Sequence, residues 1–363
     1  MTANRSKPLF WGCDFDPNPD MHGIRRKLTS FILNEGRSAH MGPYRLFKEQ
    51  QSTFSEADGY FGGLFPCPSW LSSSPEFQQE LYPDNYRRFI NSGGCRDMAV
   101  AFGEYVLTHT PDDRIPVVLG VDHCLSGGLY RIIEKKRKDV ALVVLDRHLD
   151  AISPACRNRM VGYAQAHENK KNKKKNAGLV EYFGPDFMGN YDTGSFLRYL
   201  ITNLQLSPDN LFVFGNQDAP AAKLRENRDP AIREYLAEYD GLIEAGTTII
   251  PLKEYRKQNF FNHHQELNGS LAGRRVYLSV DIDVFDTALG DCARYADRDG
   301  FSLAEARHLL QWLGLEQAEL VGMDMMELDV NRLRENRTTP EEIAVSFLDI
   351  LQLAFPDPAP AWS

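Results

Sequence analysis

The sequence predicts an α/β fold of three layers, with helices over both faces of a mostly parallel sheet. Apolar runs alternate with helical stretches almost throughout. Most of those runs are near-continuous in Val, Ile, Leu and Phe, as parallel strands covered on both faces require. Acidic and imidazole side chains begin where several of the runs stop, at the strand ends where such sheets bind ligands.

The predicted strands, in order, are 8–13, 115–119, 140–145, 211–214, 247–251, 275–280 and 319–323. Helices fit between them. Ser302 and Glu305 are spaced as a capping box that opens a helix carrying Leu309, Leu310 and Leu313. Thr339 and Pro340 start another, with proline at the first helical position, which continues through Ile343, Phe347, Ile350 and Leu351. Such alternation builds a three-layer domain, and the expectation is a single domain over 1–363. Two stretches depart from the pattern. Residues 49–91, rich in Ser, Pro, Gly and aromatics, read as irregular loops with short elements. Residues 163–190 read as a lysine-rich insertion containing Lys170, Lys171, Lys173, Lys174 and Lys175. That insertion is either a solvated loop or a lid or anion-attracting rim.

Composition narrows the function classes. At 363 residues, 42% hydrophobic and 25% charged, the chain has an ordinary globular balance. No run approaches the ~20 apolar residues of a membrane span, and the N-terminus lacks the apolar core of a signal peptide. A net charge of −9 argues against a general nucleic-acid binder. The six cysteines are scattered with no Cys-x-x-Cys pair, which fits reduced thiols in a cytoplasmic protein.

Two segments carry the chemistry. One apolar run ends in Asp146, His148 and Asp150, the other in Asp281 and Asp283. Side chains two apart on an extended chain point the same way, so each set shares a face. Four carboxylates gathered at strand ends repel one another and raise one another's pKa values. A pair of divalent cations removes that conflict, and oxygen and imidazole donors suit manganese. A third segment, Asp122 and His123, follows the strand 115–119. Each segment alone fits an Asp capping the next helix; together they place His123, His148 and the four aspartates Asp146, Asp150, Asp281 and Asp283 after three separate strands.

At these motifs the chain resembles the ureohydrolase superfamily, the arginases, agmatinases and their relatives. Val121-Asp122-His123 is similar to the family's Gly-Gly-Asp-His. Asp146, His148 and Asp150 are similar to its Asp-Ala-His-x-Asp. Ser279, Asp281, Asp283 and Asp286 are similar to its Ser-x-Asp-x-Asp-x-x-Asp. Asp324 and Glu327 match an Asp-x-x-Glu, and the likeness covers roughly residues 110–355. It implies an arginase-like fold and a binuclear centre of two Mn2+ ions. One ion would take His123, Asp146, Asp150 and Asp281, the other Asp146, His148, Asp281 and Asp283. It further implies that Glu327 holds a guanidinium or amidine by charge-assisted hydrogen bonds. A hydroxide generated between the metals would attack the C–N carbon, with Asp150 among the catalytic groups. The family is commonly trimeric or hexameric, which implies a homo-oligomer.

Three features depart from the family. Thr193 stands where the family has a proton-shuttling histidine, and a hydroxyl does not titrate near neutral pH. Asp192 and His167 are the candidate substitutes. Asp218 is followed by Ala219 and Pro220, where arginine enzymes carry polar contacts to the amino-acid end; Thr193 and Asp218 remain candidate substrate contacts. The loop after Asp286 lacks the family's prolines. The expectation is therefore a manganese-dependent hydrolase of a small linear guanidine or amidine other than free arginine. The alternatives are a formimino- or peptide-arginine-type hydrolase, or a metal-binding pseudoenzyme with a regulatory or subunit role.

Overall fold

The computed structural model describes residues 7–19, 23–25, 27–28, 32, 42–51, 60–73, 75, 80–167, 189–286, 292–293, 299–329 and 339–355. The core of the lysine-rich insertion and the loop 287–291 lie outside the described residues. Eight strands are described: β1 (Lys7–Cys13), β2 (Phe61–Leu64), β3 (Arg114–Gly120), β4 (Val140–Leu145), β5 (Leu211–Phe214), β6 (Thr248–Ile250), β7 (Arg275–Asp281) and β8 (Glu319–Met326). They form one sheet in the order β2-β1-β3-β8-β7-β4-β5-β6. Every pairing is parallel.

The helices that position the site are α1 (Gly94–His109), α2 (Cys124–Arg137), α3 (Pro154–Ala166), α4 (Phe196–Thr202) and α5 (Pro230–Glu244). The helices expected after Ser302 and Thr339 are also present, at Leu303–Trp312 and Pro340–Leu351, each with reciprocal capping-box bonds formed.

Strand periodicity divides the core in two. Ala141, Val143 and Leu145 of β4 point into one apolar layer with Val276, Leu278 and Val280 of β7. Val140, Leu142 and Val144 point into the other, against α1 and α2. Both faces are thus covered, which is why these strands read as unbroken apolar runs.

The seven sequence-predicted strands all form, with ends shifted by a few residues. β8 runs three residues further than predicted, through Asp324 to Met326. A buried carboxylate inside a strand is tolerated there because Tyr277 and Ser279 of β7 both donate hydrogen bonds to it. β2 was hidden in the stretch expected to be irregular. Its sequence is Phe-Gly-Gly-Leu, and a Cβ at Gly62 would lie 2.5 Å from the Trp11 indole, so the edge strand needs the residue that weakens its own signal. The same stretch ends in a nine-residue helix, Pro83–Asn91.

The strand order explains where a ligand can sit. The chain leaves β3 on one side of the central pair β8–β7 and resumes with β4 on the other. Connections diverge there, opening a crevice at the carboxyl ends of β3, β8, β7 and β4.

Candidate metal centre and active site

Each acidic or imidazole donor is delivered by the end of one of those four strands. His123 follows β3 and stands at the N-terminus of α2. Asp146 is the first residue after β4, its N–H donating to the Phe214 carbonyl. Asp281 ends β7, and the next turn carries Asp283, whose N–H donates to Asp281 Oδ1 at 2.9 Å. Asp146 Oδ1 likewise accepts from the His148 N–H at 2.6 Å. One oxygen of each carboxylate is therefore spent on the backbone, which fixes the direction of the other.

The remaining atoms converge. His123 Nδ1 lies 3.2 Å from Asp146 Oδ2, 3.3 Å from Asp150 Oδ2 and 3.4 Å from Asp281 Oδ2. His148 Nδ1 lies 3.0 Å from Asp283 Oδ2 and 3.8 Å from Asp146 Oδ1. Two sets of donors result, His123 with Asp146 and Asp281, and Asp146 with His148 and Asp283; within each set the donor atoms lie within 4.8 Å of one another. Asp146 belongs to both. Asp150 joins the first through its contact with His123, whereas the second contains Asp283 and not Asp281.

This donor set fits metal ions better than it fits itself. His123 Nδ1, Asp146 Oδ2 and Asp283 Oδ2 are buried and form no hydrogen bond, although they lie within about 3 Å of other donors. Atoms so close yet misaligned face a common centre instead of one another. The electrostatics agree. Burial opposes charge on His123, but the surrounding carboxylates override it and raise its pKa well above the ordinary value. Burial, together with repulsion from Asp150, pushes Asp146 up to about 8, and burial with repulsion from Asp283 raises Asp281. Asp283, buried but paired with His148, is instead held below the ordinary carboxylate range; Asp146, Asp281 and the His123 imidazole hold extra protons, so the cluster is short of positive charge.

A second layer orients His123. Its Nε2 lies 2.9 Å from Ser279 Oγ, which donates at 2.7 Å to Asp324 Oδ1; Tyr277 donates at 2.5 Å to Asp324 Oδ2. With Asp324 ionised, the single hydroxyl proton of Ser279 points to the carboxylate. Ser279 can then only accept from His123, so an imidazole that has given up its second proton keeps the other on Nε2 and offers its Nδ1 lone pair to the cluster. Ser279 and Asp324 were not singled out for this role from sequence. Their signal was two polar residues inside otherwise apolar strands, and their pairing follows from the β7–β8 register.

Above the donors lies a cavity of about 560 Å³, in the range of small-molecule sites. His148, Asp150, Asp281, Asp283 and Glu327 line its metal-facing end, with Asp192, Thr193 and Asp218 around it. His123 and Asp146 are fully buried beneath. Glu327 follows β8 and is buried; its Oε1 accepts from the His123 N–H at 3.1 Å and from Thr193 Oγ1 at 3.0 Å. Asp150 and Glu327 both adopt left-handed backbone, with φ of 49° and 61°. Non-glycine residues carry that cost, of order 1–3 kcal/mol, mainly where their side chains must be aimed.

A model of the arginase family matches residues 96–348. The chain belongs to the arginase family. It is 21% identical over 257 residues to an agmatinase of Halalkalibacterium halodurans, an alignment covering 68% of this chain and 70% of that protein. Its fold is similar to that of an arginase from Bacillus cereus, with a TM-score of 0.55 at 14% identity, covering 98% of this chain and 100% of the other. It is equally similar to a formiminoglutamase of Trypanosoma cruzi solved with Mn2+, with a TM-score of 0.53 at 16% identity, covering 99% and 97%.

Neither of the residues expected to replace the shuttle histidine stands available at the cavity. His167 is not among the residues lining the cavity. It is exposed at the C-terminal end of α3, its Nδ1 2.9 Å from the Tyr163 carbonyl and its ring stacked on Tyr163. The helix phase that pairs residues four apart turns it to that neighbour instead of to the site. Asp192 does line the cavity, but Arg157 Nη2 bonds both of its oxygens, at 2.6 and 2.7 Å, and Ser195 Oγ donates to Oδ1. It is the anchor of a part-buried ion pair instead of an available acid. Thr193 contacts Glu327, and Asp218 Oδ2 accepts from the Leu149 N–H at 3.2 Å.

Proposed function

We propose that this chain hydrolyses the C–N bond of a small linear guanidine or amidine at a dinuclear manganese centre. The observation that carries the reading is the pair of donor sets sharing Asp146, with three buried ligand atoms outside any hydrogen bond, directly beneath a cavity rimmed by Glu327. His123, Asp146, Asp150 and Asp281 would hold one ion; Asp146, His148, Asp281 and Asp283 would hold the other. Bound there, two divalent cations supply Lewis acidity and a water acidic enough to act as a nucleophile near neutral pH.

The chain's own residues do the rest. Glu327 receives the planar cationic head, since a carboxylate can accept two parallel N–H bonds. Thr193 and the His123 N–H hold Glu327 Oε1 in place. Ser279 and Asp324 keep the His123 proton away from the centre. The Arg157–Asp192 pair fixes the turn that carries Thr193.

A second reading, a metal-binding pseudoenzyme with a regulatory or subunit role, draws support from the shuttle. His167 faces solvent and Asp192 is bound to Arg157, so neither stands ready to protonate a leaving amine. Urea and ammonia release by the manganese-loaded protein, over guanidino acids, agmatine, formimino amino acids and arginine, separates the two. We expect turnover of at least one guanidine or amidine and little from free arginine. Glu327→Gln should keep the metals and lose that turnover. Full metal loading with no turnover across the panel would establish the pseudoenzyme instead.

A further inference from the structure

We infer that the substrate's tail is apolar: the site takes a guanidine or amidine carrying a hydrocarbon group, not one ending in an amino acid, a carboxylate or an amine. This rests on the head-group reading above and specifies what lies beyond it.

Among the described residues, apolar side chains make up much of the cavity lining away from the donor residues in sequence. Met160 and Val161 come from α3, Leu224 from the turn Ala222–Glu226, Tyr235 from α5, with Ile152 and Pro220 between them. Met160, Val161, Pro220, Leu224 and Tyr235 are only half-buried, so they present hydrocarbon to whatever fills the cavity. An apolar occupant removes that surface from water, and a hydrated one leaves it wet.

Among the described lining residues, the charged groups nearest this apolar surface in sequence already have partners. Arg157 is the guanidinium among the described lining residues, and it is neutralised by both oxygens of Asp192. A carboxylate tail would have to compete with Asp192 for it. Gly194 packs so closely on this pair that a Cβ there would lie 2.1 Å from Arg157 Nη1, which holds the guanidinium against the turn. A cationic tail has Asp218 in the cavity, but its Oδ2 already accepts from the Leu149 N–H, and Ala219 and Pro220, which follow it, offer no side-chain acceptor. Burying an ammonium or carboxylate without partners costs far more than burying a methylene gains.

The test is calorimetric binding of methyl-, propyl- and hexylguanidine to the manganese-loaded full chain, with agmatine, 6-guanidinohexanoate and arginine as polar counterparts. Affinity should rise by about fourfold per buried methylene over the alkyl series. Hexylguanidine should bind at least tenfold tighter than 6-guanidinohexanoate and tighter than agmatine. Leu224→Asp should flatten the chain-length dependence; Leu224 lies half-exposed in a short turn, so its replacement does not open the core. If methylguanidine binds but affinity is flat with length, or if agmatine or either guanidino acid binds tighter than hexylguanidine, the tail inference fails and the head-group site stands. If none of the guanidines binds, the head-group reading itself fails and takes the tail with it.

Discussion

Thr193 Oγ1 donates a 3.0 Å hydrogen bond to Glu327 Oε1, the oxygen that also accepts from the His123 backbone N–H. Two strand-end segments, those after β3 and β8, and the turn before α4 thereby meet at one carboxylate. The residue that stands where the family has its shuttling histidine is here a clamp on the group proposed to hold the substrate.

Removing that clamp should weaken binding without touching the metals. Thr193→Val keeps the shape and deletes the donor, at a typical worth of about 1 kcal/mol, so head-group affinity should fall about fivefold. Thr193→Ser should restore it. Metal content should match the wild type in both variants. Loss of metal in Thr193→Val would mean that the turn supports the ligands and not the carboxylate.

The Ser279 hydroxyl should control metal affinity from outside the coordination sphere. Ser279→Ala removes the acceptor that keeps the His123 proton on Nε2, and partners of this kind typically contribute 10- to 100-fold in metal affinity. Chelator competition with manganese should show a loss in that range, with the fold intact by circular dichroism. An affinity equal to wild type would show that Ser279 does not set the imidazole tautomer.

Asp14 should make the fold less stable above pH 6. It is buried beside Gly42, where a Cβ would lie 1.5 Å from its Oδ1, an atom without a hydrogen bond. Burial raises its pKa from 3.8 to about 6, partly countered by Arg45. The folded state therefore favours the protonated form. Its contribution is fully present below about pH 4 and is lost as pH rises through about 6. Asp14→Asn is neutral at every pH, so its advantage over wild type should grow between pH 4 and pH 6 and then level off, at no more than about 3 kcal/mol. Urea unfolding at pH 4 and pH 7.5 measures it; an equal difference at both pH values would contradict the assignment.

The candidate donors Asp146, His148, Asp281 and Asp283 were legible in the sequence because they sit on two short motifs whose period of two matches an extended strand end. Once each apolar run was read as a strand, Asp146 with His148 and Asp281 with Asp283 were fixed. Ser279 and Asp324 meet only through the register of β7 with β8, strands separated by the whole helix Leu303–Trp312 and its loops, so no local pattern could pair them. Arg157 and Asp192 lie 35 residues apart, across the lysine-rich insertion, and their bond removed an acid that sequence reasoning had left available. His167 was misjudged for a related reason: proximity in the chain to a site says nothing about which way the last turn of a helix faces.

The most direct test is the manganese anomalous signal from crystals of the loaded protein. The account predicts two peaks per chain, roughly 3.5 Å apart as in other two-metal sites, one against His123 Nδ1 and Asp150, the other against His148 Nδ1 and Asp283. A single peak, or none at these residues under saturating manganese, would contradict it.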